Sequence, residues 1–211
     1  MTSKPAIVTV AITGLSCAGK TTLADALQAR LAHTIVLHQD DYFKDYENIP
    51  MREGTAEKDF DCVGAFDDAA LRKQTEELQR HPERSCPTCA QSATEHQARD
   101  APAVLLTRGA RPVHVVLCEG LIVMHPDFQL SDSFDLCINL DLPQDTARAR
   151  RKCRDYGEHP DPADYFDSVV WPRYIDYHKI IAEHPGLLSF HGDAPREQIV
   201  DAVIDEIKKI V

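Results

Sequence analysis

The sequence lacks an excess of basic residues and any long apolar run. Its 211 residues include 23 Lys plus Arg and 34 Asp plus Glu, which gives a formal net charge of −11 at pH 7. Because nucleic-acid binding depends on a basic surface, this balance disfavours a nucleic-acid partner, although a nucleotide needs only a small cluster of donors. No stretch of about 18 apolar residues occurs, so we expect no membrane-spanning helix and no membrane partner.

The features of a secreted protein are also missing. The N-terminal residues lead into a strand-like segment that is too short for a signal peptide. The 7 Cys are an odd number spread along the chain, which favours free thiols in a reducing compartment over a disulfide framework. We expect a cytoplasmic protein, with the nucleus as a second compartment, and a monomer, with a dimer as the alternative. At about 100–200 residues per domain, the length predicts one domain over 1–211.

The order of the predicted elements indicates an α/β fold. The N-terminal segment predicts a βαβ unit, with a buried strand at 7–13, a Leu-striped helix at 21–32 and a short strand at 34–38. The other predicted strands lie at 112–118, 134–140 and 187–190. Four further helices are predicted: one over 67–79, one that begins at Pro143, one that ends at about His184, and one with Asp193 as its N-cap. We therefore expect a parallel sheet flanked by helices, with a polar surface excursion at about 80–102.

One motif carries a specific chemistry. Gly14 to Thr21 (GLSCAGKT) matches G-x-x-x-x-G-K-[ST] between a predicted strand and a predicted helix. Its glycines let the backbone amides approach an anion at a helix N-terminus, while Lys20 supplies an ammonium for the β- and γ-phosphates and Thr21 a hydroxyl for Mg²⁺. The sequence has no guanine-reading N/TKxD motif, so ATP is the expected nucleotide. The candidate ATP-binding residues of the loop are Gly14, Ser16, Cys17, Ala18, Gly19, Lys20, Thr21 and Thr22.

Phosphoryl transfer also needs an acid at the acceptor hydroxyl, a carboxylate near the metal and cations over the transferred group. Asp40 follows the second strand and Glu119 ends a later one, and such strand ends line the ligand crevice of a doubly wound sheet. The alternative for each is an acid at a strand end without a role. A basic cluster follows on a predicted helix, where it either closes over phosphates as a lid at about 148–165 or is a solvated face. Its members are Arg148, Arg150, Arg151 and Arg154.

Several segments together resemble nicotinamide riboside kinases, a group within the uridine-kinase-like branch of P-loop kinases. They are GLSCAGKTTL, QDDYFK, Asp59-Phe60-Asp61, CEGLIV, RARRKCRDY and YFDSVVWPRYIDYH. The resemblance extends over about residues 6–193, and its most specific part is Asp161 to Tyr177. It implies a P-loop kinase fold with a lid, Mg²⁺ as cofactor and ATP as co-substrate. The implied reaction is phosphorylation of the 5′-hydroxyl of nicotinamide riboside to nicotinamide mononucleotide, a step of NAD salvage.

The resemblance also implies roles for residues at the acceptor. Asp40 is similar to the catalytic Asp that contacts the 5′-hydroxyl and Mg²⁺. Asp61 and Arg151 are similar to the pair that holds the ribose 2′- and 3′-hydroxyls. Phe60 and Tyr156 resemble the two aromatic residues on either side of the pyridinium ring, which carries a fixed positive charge and so gains about 0.5–2 kcal/mol between aromatic faces. Phe60 departs from the expected Tyr and lacks its hydroxyl.

On the ATP side, the resemblance implies that Glu119 and Lys20 are also catalytic. Glu119 corresponds to the second carboxylate beside the metal and acts with Lys20. Arg150 and Arg154 correspond to lid cations for the ATP phosphates, and Gly192-Asp193 to a backbone loop beside adenine.

Two other functions stay open at this point. A uridine or cytidine kinase would share the phosphate loop but would need amide or His hydrogen bonds around a neutral base. An ATP-binding P-loop regulator that is not a kinase would need no acceptor pocket, so Asp61 and Arg151 would have no function.

A single C-x-x-C occurs in the predicted surface excursion. Cys86 and Cys89 have His81 and His96 nearby in the sequence. Structural zinc sites usually take four ligands at tighter spacing, so this pair is a weak indication of zinc and incidental thiols are favoured.

Overall fold

The protein is built around a parallel sheet. The computed structural model describes residues 6–90, 103–157 and 160–211. Its strands are β1 (Ala6–Gly14), β2 (Thr34–His38), β3 (Thr107–Arg108), β4 (Arg111–Glu119), β5 (Leu136–Asp141) and β6 (Leu187–His191). The order is β2-β4-β1-β5-β6 with parallel pairing throughout, and the short β3 pairs antiparallel with β4. The predicted parallel α/β fold is confirmed.

Helices cover both faces of this sheet because its central strands are apolar on both sides. Alternate residues of β1 enter two apolar clusters: Val8 and Val10 in one, Ala11 in the other. The helices are α1 (Lys20–Arg30), α2 (Asp68–Arg80), α3 (Pro87–Ala90), α4 (Gln144–Lys152), α5 (Trp171–Ile181, after a π-helical turn at Phe166–Val170) and α6 (Arg196–Ile210). None of the helices in the described ranges has both the length and the apolar character that crossing a bilayer requires.

The last helix begins later than the sequence predicts. Asp193 is the expected N-cap, but α6 begins at Arg196 with Pro195 in the capping position. The chain first turns, since Ala194 N donates to His191 O at 3.0 Å. The predicted apolar face of the helix is confirmed, because Ile199, Val200, Val203, Ile204 and Ile207 are all buried.

The first part of the predicted surface excursion folds against the body of the protein. Beyond α2 the chain forms a 3-10 turn at Pro82–Arg84 and then α3. Cys86 between them is fully buried, in one apolar cluster with Ile35 of β2 and Val116 of β4. The polar composition concealed this because one buried side chain leaves no periodic pattern. Residues 91–102 of the predicted excursion lie outside the described residues.

Candidate active site

A cavity of about 890 Å³ opens at the carboxyl ends of β1, β2 and β4. Its lining brings together fourteen of the predicted site residues, from the phosphate loop, the two strand ends, the segment at 60–61, and the basic helix with the residues that follow it. They are Ser16, Cys17, Gly19, Lys20, Thr21, Thr22, Asp40, Phe60, Asp61, Glu119, Arg150, Arg151, Arg154 and Tyr156. The predicted residues outside the lining are Gly14, Ala18, Gly192 and Asp193.

The phosphate loop takes its shape from two glycines. Gly14 has φ 136° and lies so close to β5 that a Cβ there would stand 2.1 Å from the Leu140 carbonyl oxygen. Gly19, at φ 96°, precedes α1, and no side chain in the described ranges caps that helix N-terminus. The first-turn amides are thus available to an anion. Lys20 Nζ donates to the carbonyls of Gly14 and Leu15, each at 3.1 Å, and burial lowers the pKa of Lys20.

Glu119 connects the phosphate loop to β2. It ends β4, and the strand register places it beside Ile12 and His38. Its buried carboxylate accepts a hydrogen bond from Thr21 Oγ1 at 3.0 Å, and its Oε1 lies 2.7 Å from His38 Nδ1. Burial alone would lower the pKa of His38, but hydrogen bonding to Glu119 and nearby acidic charges raise it overall. His38 was not predicted as a site residue, and its position at the end of β2 is the feature of the sequence that pointed to the site.

The oxygens beside Lys20 form a set that suits Mg²⁺. Thr21 and Glu119 are in direct contact, and Asp40 lines the same cavity from the 3-10 turn that follows β2. Asp40 is exposed, and its charge acts on Lys20. A hydroxyl and carboxylates are hard oxygen ligands, which Mg²⁺ takes in company with phosphate and water. The donor set therefore fits the metal that was predicted for these three residues.

Buried Arg151 is the centre of a charge network that lines the cavity and includes a serine of the phosphate loop. Its guanidinium donates to both carboxylate oxygens of Asp161, at 2.6 and 3.1 Å, and to Ser16 Oγ at 2.8 Å. The predicted partner Asp61 lies farther away, at 3.8 Å. Burial raises the pKa of Asp61, and the charge of Arg151 opposes that rise. Asp161 begins the segment that carries the most specific part of the resemblance, but its pairing with Arg151, ten positions earlier, was not predicted.

Tyr165 holds two residues of the acceptor side in place through hydrogen bonds. Its side chain is buried, its hydroxyl oxygen accepts a hydrogen bond from Phe60 N at 3.1 Å, and its hydroxyl is bonded to Asp61. Burial raises the pKa of Tyr165, so the hydroxyl stays protonated and remains a donor to the carboxylate. Tyr165 thus fixes the backbone of one predicted acceptor residue and the side chain of the next. No role was predicted for Tyr165, although it lies in the 161–177 segment.

The two predicted aromatic residues line one cavity in different surroundings. Phe60 packs beside Phe43 and Tyr46, with ring centroids 6.0 and 6.3 Å away. Tyr156 instead has two guanidinium groups at its ring, those of Arg151 at 4.9 Å and Arg154 at 5.2 Å from the centroid. Burial raises the pKa of Tyr156 to about 12, and its hydroxyl has no hydrogen-bond partner within the described ranges.

The four arginines predicted for the basic helix divide into two groups, and Arg154 lies beyond the helix, which ends at Lys152. Arg150, Arg151 and Arg154 line the cavity, and Arg150 Nη1 donates to the carbonyls of Cys17 (3.3 Å) and Gly192 (3.4 Å). Arg148 does not join them, contrary to the expectation of a four-arginine lid. It is held by Asp167 and also contacts Asp145, because its position in α4 faces those acids.

Gly192 lies against the phosphate loop, although it does not line the cavity. A Cβ at Gly192 would stand 2.3 Å from the carbonyl oxygen of Ala18, so any larger residue would push the two loops apart. Gly192 N also donates to Asp141 O at 2.8 Å. The loop after β6 is therefore tied to the phosphate loop and to β5.

Comparisons with known proteins agree with this architecture. A family model described as "Phosphoribulokinase / Uridine kinase family" matches residues 9–184. Nicotinamide riboside kinase 2 of Mus musculus is 30% identical over 201 residues, which is 94% of this chain and 94% of that protein. Uridine kinase of Ligilactobacillus salivarius is 26% identical over 215 residues, covering 99% of this chain and 95% of that protein. The solved structure of a sugar kinase from Janibacter sp. HTCC2649 shares the fold, with a TM-score of 0.54 and 15% identity, covering 94% of this chain and 93% of that one.

Proposed function

The chain belongs to the phosphoribulokinase/uridine kinase family, and on that premise we propose that it phosphorylates the 5′-hydroxyl of nicotinamide riboside with MgATP. It is an ATP-dependent nucleoside kinase, and the proposal concerns which nucleoside it takes. The observation that carries the proposal is that one cavity joins the phosphate loop to an acceptor side with aromatic rings and a buried carboxylate. The product would be nicotinamide mononucleotide, as in a salvage route to NAD.

Catalysis in this arrangement is mainly positioning and charge neutralisation. The loop amides and Lys20 hold the ATP phosphates, and Arg150 and Arg154 add positive charge from the proposed lid. Asp40 accepts a hydrogen bond from the acceptor hydroxyl and takes its proton as the oxygen attacks the γ-phosphorus. Mg²⁺, held by Thr21, Glu119 and Asp40, would supply further neutralisation of the phosphate charge.

The acceptor side suits a ribose that carries a cationic ring. Asp61 is a buried acceptor and Arg151 a buried donor, so the pair matches the two hydroxyls of a vicinal diol. The ring of Phe60 offers a π-face to a pyridinium, and such a contact gains about 0.5–2 kcal/mol. Tyr156 lines the same cavity, with the guanidinium groups of Arg151 and Arg154 already at its ring. The hydroxyl of Tyr156, which has no partner in the described ranges, is available to the carboxamide.

Uridine or cytidine is the second candidate, since the matched uridine kinase covers 99% of this chain. A neutral pyrimidine is read through its amide-like edge, which calls for Asn, Gln or His at the base. Among the described residues, the cavity lining includes none of these three types. That composition favours a base recognised by stacking and charge.

ADP formation with single nucleosides tests the proposal. We expect turnover with nicotinamide riboside at about 1–100 s⁻¹, weak turnover with uridine and cytidine, and none with Lys20→Ala. A preference for uridine or cytidine would replace the proposed substrate by the second candidate. ADP release at the same rate without any nucleoside would indicate an ATP-hydrolysing regulator and would remove the acceptor role of Asp61 and Arg151.

A further inference from the structure

Four metal-binding side chains meet at the opposite end of the sheet from the active site. His33 immediately precedes β2, and His114 lies near the beginning of β4. Cys86 and Cys89 come from the turn and short helix that follow α2. Val115 N donates to His33 O at 3.0 Å, so backbone pairing holds the two histidines side by side, with ring centroids 5.0 Å apart.

Three of the six separations between ligand atoms lie in the range expected around a tetrahedral zinc ion. Cys89 Sγ lies 3.4 Å from His33 Nδ1 and 3.3 Å from His114 Nε2, and Cys86 Sγ lies 3.8 Å from His33 Nδ1. All four atoms lie within 4.8 Å of one another. Tetrahedral zinc, with Zn–S of about 2.3 Å and Zn–N of about 2.0–2.1 Å, separates neighbouring ligand atoms by about 3.3–3.8 Å.

We propose that His33, Cys86, Cys89 and His114 bind one structural Zn²⁺ ion. Two thiolates and two imidazoles form a soft tetrahedral set that selects zinc over the hard cation Mg²⁺. Four protein ligands fill the coordination sphere and leave no position for a reacting water, so the site is structural and not catalytic. Cys86 and His114 are buried, which closes the site on two sides.

The backbone on both sides of the cluster is shaped for this arrangement. His33 has φ 55°, in the left-handed region that residues other than glycine seldom adopt. Cys89 N donates to Cys86 O at 3.1 Å, which closes the C-x-x-C turn, and both sulfurs lie within 3.8 Å of His33 Nδ1. The cluster joins the turn after α2 to the amino ends of β2 and β4, so the ion would link these three segments.

The proposed site differs from the expectation that the C-x-x-C is an incidental pair. Its histidines are His33 and His114, which lie 56 and 25 residues from Cys89. His81, the described histidine nearest the motif in sequence, lies outside the cluster and pairs with Glu83 at 3.4 Å. His96 lies outside the described residues.

Metal analysis of the full chain tests the proposal. The protein is produced with zinc in the medium, separated from loose metal by gel filtration and analysed by elemental mass spectrometry. We expect one zinc per chain in the wild type and in the controls Cys153→Ser and His81→Ala, and less than about a tenth of that in Cys89→Ser. Cys153 is a matched control because it is also an exposed thiol.

A second measurement avoids any dependence on how the variants fold. Wild-type protein refilled with Co²⁺ should give the intense visible absorption of a tetrahedral thiolate site, and a chelator should lower its Tm. Wild-type protein that contains no zinc and gives no such cobalt spectrum overturns the proposal. So does a disulfide between Cys86 and Cys89 in the freshly purified protein, or a full zinc content in Cys89→Ser. None of these readouts depends on which nucleoside is phosphorylated.

Discussion

The two ends of the parallel sheet carry sites of opposite character. At the carboxyl ends lies an open cavity with charged side chains, where Lys20 is partly buried and Asp61 is buried, and desolvation displaces the pKa values of both. At the amino ends, His33 and Cys86 belong to a small cluster of soft ligands with no acid among its four members. A catalytic site needs space for its substrates and charged groups with which the substrates can pair, whereas a structural metal site needs a complete set of protein ligands. The following substitutions at the carboxyl end should therefore change kinetics and leave the zinc content unaffected.

The largest effect is expected at Asp40. Asp40→Asn keeps the size of the side chain but cannot take the proton of the acceptor hydroxyl, so kcat should fall by roughly 10²–10⁴. Steady-state kinetics with saturating ATP measure this. Asp41→Asn is the matched control, since Asp41 is the exposed neighbour that does not line the cavity. Equal kcat values for Asp40→Asn and the wild type would remove the base from the mechanism.

A smaller effect, mainly on KM, is expected at Asp61. Losing the hydrogen bond from a ribose hydroxyl to a charged group costs about 1.5–3 kcal/mol, so Asp61→Ala should raise the KM for the nucleoside roughly 10- to 150-fold and leave the KM for ATP nearly unchanged. Asp164→Ala, an exposed acid of the same region, serves as control. An unchanged nucleoside KM in Asp61→Ala would contradict the assignment of the ribose site.

At Phe60 the expected change is several-fold. Phe60→Leu keeps apolar volume but removes the π-face, so the kcat/KM for nicotinamide riboside should fall by the equivalent of about 0.5–2 kcal/mol. Phe60→Tyr keeps the ring and should retain activity. Uridine turnover in Phe60→Leu supplies the contrast, because a neutral base loses less. The stacking role would be wrong if Leu and Tyr behaved alike toward the cationic nucleoside.

The smallest effect concerns stability and pH at Asp61. Burial raises the pKa of Asp61 in the folded protein, so its contribution to stability is complete below the unfolded pKa and is lost as the pH rises through the folded value. The Tm of the wild type minus that of Asp61→Asn should therefore increase as the pH is lowered from 7 toward 4.5. Thermal unfolding at several pH values measures the difference. A flat or opposite trend would mean that Arg151 outweighs the burial of the carboxylate.

The parts of the molecule that the sequence predicted are those with local signals. The phosphate loop is one continuous motif, and Asp40 and Glu119 follow strands that their β-branched composition reveals. The missed contacts join segments that only tertiary packing brings together. His38 meets Glu119 across 81 residues, and the two histidines of the proposed zinc site come from separate segments, one just before β2 and one within β4. No spacing in the sequence predicts such contacts, because only the strand register of the folded sheet brings the residues together.

We propose that the acceptor pocket selects a cationic ring. A competition assay tests it most directly, with equal concentrations of nicotinamide riboside, its neutral 1,4-dihydro form and uridine, limiting enzyme and MgATP. The two nicotinamide forms share their ribose and differ in ring charge. Products are separated and identified by mass. We predict that nicotinamide mononucleotide accumulates first, ahead of both neutral products. Faster accumulation of uridine monophosphate, or equal rates for the charged and neutral nicotinamide ribosides, would contradict the account.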